Sequence, residues 1–133
     1  MKKLTLTAAF ARFGAELKNP RWACSAIAGD GSLVISCWRH FLRSYVDGHV
    51  RYEDRLSRWL GNYQGRDLLR EHLQLAVDNR LSVRQVIATL DDPRDRTDTD
   101  ASAIPKTFST NGDLVGTVVA FDGDSFVIEF YPV

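Results

Sequence analysis

The stretch Cys24-Ser-Ala-Ile-Ala-Gly-Asp-Gly-Ser-Leu-Val-Ile-Ser-Cys37 constrains this chain most, because its pattern points to a β-hairpin. Asp30-Gly31 separates two β-rich runs, and a type I′ turn needs positive φ at both central residues, which Asp-Gly supplies. With that turn, Ala28 faces Leu33, Ala26 faces Ile35 and Cys24 faces Cys37. All six side chains are apolar and share one face, so the pattern predicts this register, because a one-residue slip would exchange the faces. A second hairpin is expected around Asp122-Gly123-Asp124. An even-length turn there puts Thr117, Val119, Phe121, Phe126, Ile128 and Phe130 on one core face.

Between and before these hairpins the apolar spacing changes. Leu6, Phe10, Phe13 and Leu17 recur at helical intervals, predicting a helix over 5–18 capped by Thr5 or Thr7 and ended by Asn19-Pro20. Residues 39–51 read as an irregular basic connection. Tyr52 to Leu60 is expected to form a short helix stopped by Gly61, with Tyr52, Leu56 and Trp59 or Leu60 inward. Arg66 to Asn79 predicts a longer helix burying Leu69, Leu73, Ala76 and Val77. Residues 82–90 form a β-branched run, read as a strand, and 91–103 a polar loop. The expected fold is a single α+β domain over 1–133. It has about five strands in a mostly antiparallel sheet, from two Asp-Gly hairpins plus one strand, packed by two to three helices.

The 133-residue length suits one core, and no apolar run reaches the roughly 18 residues a membrane helix needs. The start Met1-Lys2-Lys3-Leu4 does not continue into a signal peptide, since Arg12, Glu16 and Lys18 interrupt the apolar region, so a cytoplasmic location is expected. There the two cysteines are expected to remain reduced. As a non-hydrogen-bonded cross-strand pair, Cys24 and Cys37 are geometrically open to a strained disulfide. The favoured reading is two small apolar residues on a packing seam. Metal binding with His40 and His49 lacks the short Cys-x2-4-Cys knuckle. His72, one helical turn from Leu68, Leu69 and Ala76, reads as a satisfied boundary histidine.

No catalytic pattern is legible: there is no serine-nucleophile motif, and Gly29-Asp30-Gly31 is a turn without a following Gly-Lys-Ser/Thr. No metal site or cofactor is expected, and the chain is read as a non-enzyme. A thiol-dependent enzyme using Cys24 or Cys37 is the least favoured alternative.

The informative signal is charge. Net charge is zero, yet residues 1–70 hold twelve Lys/Arg against six acids, and 91–133 hold nine acids against Arg94, Arg96 and Lys106. Trp38, Arg39, Arg43, Tyr45, Arg51, Arg55, Arg58 and Tyr63 combine guanidinium groups with stacking rings, the residue types that hold phosphates and bases. On the expected helix, Arg51, Arg55 and Arg58 would lie on one side, as in a phosphate-tracking helix. Ion pairs with Asp47, Glu53, Asp54 and Asp67 are the alternative use of these charges. The sequence therefore favours a small module that binds nucleic acid or a nucleoprotein complex. A protein-binding adaptor or inhibitor of counter-defence type is the competing reading. It would use Asp91, Asp92, Asp95, Asp98 and Asp100.

Several pieces also resemble a group of small bacterial and mobile-element proteins, similar to N-terminal modules of some nuclease-associated proteins. They are Asn19-Pro-Arg-Trp22, Ser25-Ala26, Asp30-Gly31, Val34 with Trp38, and His72-Leu73-Gln-Leu-Ala76. Val86-Ile87-Ala88, Asp92-Pro93, Ile104-Pro105 and Asp113-Leu114-Val115 extend the match along the chain. The resemblance implies a compact stand-alone module in a mobile-element or phage-defence setting, and it supplies no active-site residues.

Overall fold

In a computed structural model the described residues are 4–44, 46–59, 61–95 and 104–133. They form α1 (Leu6–Ala11), β1 (Ser25–Ile27), β2 (Leu33–Trp38), β3 (Leu42–Ser44), β4 (Val50–Arg55), α2 (Tyr63–Asn79), β5 (Val83–Leu90), β6 (Lys106–Thr110), β7 (Leu114–Phe121) and β8 (Ser125–Pro132). Short 3-10 turns cover Arg39–Phe41 and Leu56–Arg58. The sheet runs β1-β2-β5-β7-β8-β4-β3, with β6 beside β5. All pairs are antiparallel except β2 with β5, whose parallel register requires the long crossover that α2 completes. The α+β class and the mostly antiparallel sheet stand as expected. The strand number does not: eight strands replace about five.

Two of the three extra strands come from 39–55, and the third is β6. Alternation in Val50-Arg-Tyr-Glu-Asp-Arg55 has period two, with Tyr52 and Asp54 buried while Glu53 and Arg55 are exposed. β4 pairs β8 over six residues, from Val50↔Phe130 to Arg55↔Ser125, and β3 adds to its other edge. The expected helix over Tyr52–Leu60 is therefore a strand followed by one 3-10 turn. Its single-turn helical spacing of apolar residues is overridden by a partner strand that buries both Tyr52 and Leu56.

The first hairpin keeps its place, but neither the expected two-residue type I′ turn nor the expected register. Ser25 opposes Ile35, Ala26 opposes Val34 and Ile27 opposes Leu33. The loop has three residues, Gly29–Gly31: Ala28 N–H donates to Ser32 O, Gly31 N–H to Ala28 O, and Gly31 takes φ +90°. A type I turn closed by a left-handed glycine is the standard three-residue solution. Asp30 Oδ1 accepts the Ser32 N–H at 2.9 Å and fixes it. Cys24 consequently stands across from Ser36, whose N–H donates to the Cys24 carbonyl, rather than across from Cys37.

The second hairpin turns at Gly123-Asp124 with Phe121 opposite Phe126, as an even turn requires. A bulge at Val119 then shifts the pairing by one. Val118, Gly116 and Leu114 follow Phe121 inward with Phe126, Ile128 and Phe130, whereas Val119 is half exposed. Thr117 also leaves the expected core face and bonds the Tyr131 hydroxyl.

Helix α2 covers the inner sheet face with Leu69, Leu73 and Ala76, while Val77, expected inside, faces solvent. It starts earlier than expected because Asn62 caps it, accepting the Gly65 N–H at 3.1 Å. Helix α1 is shorter than 5–18. Thr5 caps it, but Gly14 at φ +73° closes it, and the chain then runs extended with Ala15 and Leu17 buried. Phe10, Leu17, Ala23, Ala26, Ala28, Val34 and Val86 form a second small core on the outer face of β1, β2 and β5.

Candidate functional site: a tryptophan-lined pocket

Helix α1 and the 19–24 segment do not cover the whole outer face of the β2–β5–β6 region. At the carboxyl ends of β2 and β5 they leave a pocket of about 430 Å³. Ser36, Ala88 and Phe108 contribute to its floor. Its walls carry Trp22, Trp38 and Trp59, which are all the tryptophans of the chain, with Arg21, Arg58 and Lys106. No carboxylate is among its described lining residues.

Each wall has an identifiable cause. The first turn of α2 lies against the Trp22 backbone, where Asn62 Nδ2 donates to Trp22 O at 3.0 Å. A Cβ at Gly65 would sit 2.3 Å from that same carbonyl, so only glycine permits the approach. Trp38 ends β2, and its N–H donates to the Tyr52 hydroxyl at 3.3 Å. Tyr52 in turn donates to Asp54 Oδ2 at 3.1 Å. Asp54 receives a forked pair from Arg58, Nε to Oδ1 at 2.7 Å and Nη2 to Oδ2 at 2.6 Å, with both side chains nearly buried. So held, the Arg58 guanidinium lies 4.3 Å from the Trp59 ring centroid and 5.1 Å from that of Phe41. Lys106 donates to Ile104 O at 3.0 Å and stands 5.9 Å from the Trp38 ring.

The electrostatics follow from this network. Burial opposes the charge on Arg58, but the hydrogen bonds and charge of Asp54 more than compensate and raise its pKa. Burial, then the Asp54 charge, push the Tyr52 phenol well above its ordinary range. Burial pushes the Cys24 thiol at the pocket edge to about 12, and Cys37 well above its ordinary value, so neither supplies a thiolate at neutral pH. Both are free thiols, and the expected face-to-face pairing is removed by the hairpin register.

The residues singled out from sequence separate into three groups. Trp38 and Arg58 enter the pocket. Arg43 and Arg51 oppose one another across β3 and β4 on the outer sheet face, beside Phe41, in a shallow cavity of about 380 Å³. There Arg51 pairs with Glu129 at 2.6 Å, and Arg43 donates to the carbonyls of His40 and Leu42. Arg39 and Arg55 are exposed, and Tyr63 packs under Arg66 at 4.6 Å. Arg51, Arg55 and Arg58 do not line one helix side, because β4 puts Arg51 and Arg55 outward and the 3-10 turn folds Arg58 back onto Asp54. Of the acidic group, Asp92 is held by Arg94 and Asp91 accepts from Thr107 Oγ1, while Asp95 is exposed. Tyr45, Asp98 and Asp100 lie outside the described residues.

Sequence reasoning missed Trp22, Trp59, Arg21 and Lys106 as a joint site, although all three tryptophans were visible as rare residues. Ser25 Oγ and His72 Nδ1 lie 2.8 Å apart, a distance a nucleophile and base would use, but Ser25 is fully buried and the pair ties α2 to β1. His72 is thus a satisfied boundary residue. Among the described residues no three His, Cys, Asp or Glu side chains gather as a metal site, and no helix is long and apolar enough to cross a membrane. No protein-family model matches the chain, and no curated protein or solved structure matches it either.

Proposed function

We propose that this chain is a small non-catalytic module that binds nucleic acid or a nucleoprotein complex through its arginine- and aromatic-rich surface. The observation that carries the reading is the convergence of Trp22, Trp38 and Trp59 with Arg21, Arg58 and Lys106 around one open pocket with no described carboxylate in its lining. Rings offer stacking faces to bases, and cations attract the backbone. The exposed Arg39, next in sequence to Trp38, adds charge beside the opening. Arg43 and Arg55 lie further along the same half of the sheet. Arg51 and Arg58 are engaged by carboxylates, so the phosphate contacts fall to Arg21, Arg39, Arg43 and Arg55. A mobile-element or phage-defence setting belongs to this proposal.

The test is binding of fluorescent single-stranded DNA and RNA across a salt series. Neutralising several phosphates releases counterions, so affinity is expected to fall steeply with salt. Absence of binding at low salt, or affinity indifferent to salt, overturns the reading. The competing adaptor reading uses Asp91, Asp92, Asp95, Asp98 and Asp100. It is not preferred, because Arg94 and Thr107 already occupy two of these carboxylates.

A further inference from the structure

We infer that the tryptophan-lined pocket is a site for a small uncharged ring compound, with the Ser36 hydroxyl as its hydrogen-bonding contact. Such a site goes beyond the nucleic-acid reading above and does not depend on it, since no phosphate takes part. Trp22, Trp38 and Trp59 are each half-buried, and each reaches the lining of this one pocket. Half-buried Leu6, Ile104 and Phe108 join them there, so the described residues leave a concave apolar surface uncovered. A contiguous apolar patch of this kind marks a binding site. Its volume of about 430 Å³ falls within the range of small-molecule sites. Indole rings meet other rings in offset or edge-on arrangements that add to simple burial, which favours an aromatic guest over an aliphatic one of equal size.

The charged groups at the lining select against an ionic guest. Arg58 is bonded twice to Asp54, Lys106 donates to Ile104 O at 3.0 Å, and Arg21 is exposed to water. The floor, to which Ser36, Ala88 and Phe108 contribute, offers a charged ligand group no opposite charge to replace its lost hydration. Ser36 supplies a hydroxyl there, which can donate or accept. The adjoining strand edge favours a free molecule over a peptide. β6 borders the pocket through Lys106 and Phe108, and its outer edge is taken at Phe108 by a bridge to Leu4. An extended peptide therefore finds no continuous edge at β6 on which to add as a strand.

The experiment follows the full chain by heteronuclear NMR, without nucleic acid, during titration with α-naphthol, a ring compound uncharged at neutral pH that bears one hydroxyl. The indole N–H signals of Trp22, Trp38 and Trp59 and the backbone amides of Ser36 and Ala88 are expected to shift together and to saturate. The amides of Leu75 and Val119, whose exposed side chains lie outside the pocket, are expected to stay in place. Naphthalene-α-sulfonate, the same ring carrying a charge, is expected to bind about tenfold or more weakly. Ser36→Ala is expected to weaken α-naphthol roughly two- to tenfold, the worth of one hydrogen bond, and to leave the affinity of unsubstituted naphthalene unchanged. Shifts that never saturate, or that appear equally at Leu75 and Val119, overturn the site. Octanol binding as tightly as α-naphthol overturns the choice of a ring, and the sulfonate binding as tightly overturns the uncharged class. An unchanged affinity in Ser36→Ala removes the hydroxyl from the contact. The salt series decides the nucleic-acid reading separately, so the two fail independently.

Discussion

The two halves of the sheet solve burial differently. β2 and β5 are covered on both faces, by α2 on one side and by α1 with the segment that follows it on the other. Their sequences, Leu33-Val-Ile-Ser-Cys-Trp38 and Val83-Arg-Gln-Val-Ile-Ala-Thr-Leu90, show no clean alternation. In β4 and β8 only one face is covered. Tyr52, Asp54, Phe126, Ile128 and Phe130 point in, while Arg51, Glu53, Arg55 and Glu129 form a charged outer row. Two-sided burial makes a strand tolerant of register, since either face presents apolar groups. One-sided burial fixes the register, because a slip would bury charge. The pocket lies where the double cover stops, so it inherits apolar rings from the sealed half and the Asp54–Arg58 clamp from the open one.

The largest effect that separates the halves is expected at that clamp. Asp54→Ala leaves Arg58 nearly buried without its carboxylate, and losing one partner of a buried pair costs about 3–5 kcal/mol. Chemical denaturation measures it. Tryptophan emission of the variant should also shift, since Arg58 orders Trp59. A loss below about 1 kcal/mol would mean that the open half does not depend on this interior polar anchor.

Next comes the sealed half. Val34 is fully buried on the face that α1 covers. Val34→Thr places a hydroxyl there and is expected to cost about 1–3 kcal/mol. The equivalent outward substitution in the open half, Val119→Thr, touches a half-exposed bulge residue and should stay within about 0.5 kcal/mol. Similar losses at the two positions would erase the distinction between covered and open faces.

That distinction also explains what was legible in the sequence. Phe126, Ile128 and Phe130 declared their inward face, because their strand alternates against solvent. The first hairpin did not declare its register. Ser25, Ala26, Val34 and Ile35 are all buried, so sorting by polarity could not choose between a two-residue turn and the observed three-residue loop. Residues 52–60 misled for another reason: Tyr52, Leu56 and Trp59 repeat at helical spacing, and the pairing with β8 and β3 decides that the first part is extended. The bulge at Val119 has no local signal, since any of the valines nearby could have carried it. Within the site, Trp38 and Arg58 were legible as a ring and a cation. Their neighbours Trp22 and Lys106 were not, because Trp22 is placed by the Asn62 contact and Lys106 by the β5–β6 pair, contacts between segments far apart in sequence.

The smallest effect concerns pH and tests how tightly the sealed half holds α2. Burial lowers the pKa of His72 below the ordinary 6.5, and its Nδ1 meets Ser25 Oγ at the buried end of β1. Glu71 opposes the shift and Lys18 adds to it, so the whole environment leaves the folded ring harder to protonate than the unfolded one. The unfolded chain therefore binds the extra proton first as pH falls. Stability from this group is fully present above 6.5 and is lost as pH drops through that value towards the depressed folded pKa, below which no further loss follows. His72→Gln removes that titration while keeping a polar partner for Ser25, so its stability should be flatter than wild type below pH 6.5. NMR titration of the imidazole checks the cause directly. A midpoint at or above 6.5 would mean that water reaches the seam between α2 and β1, and the half described as sealed would be open at that point.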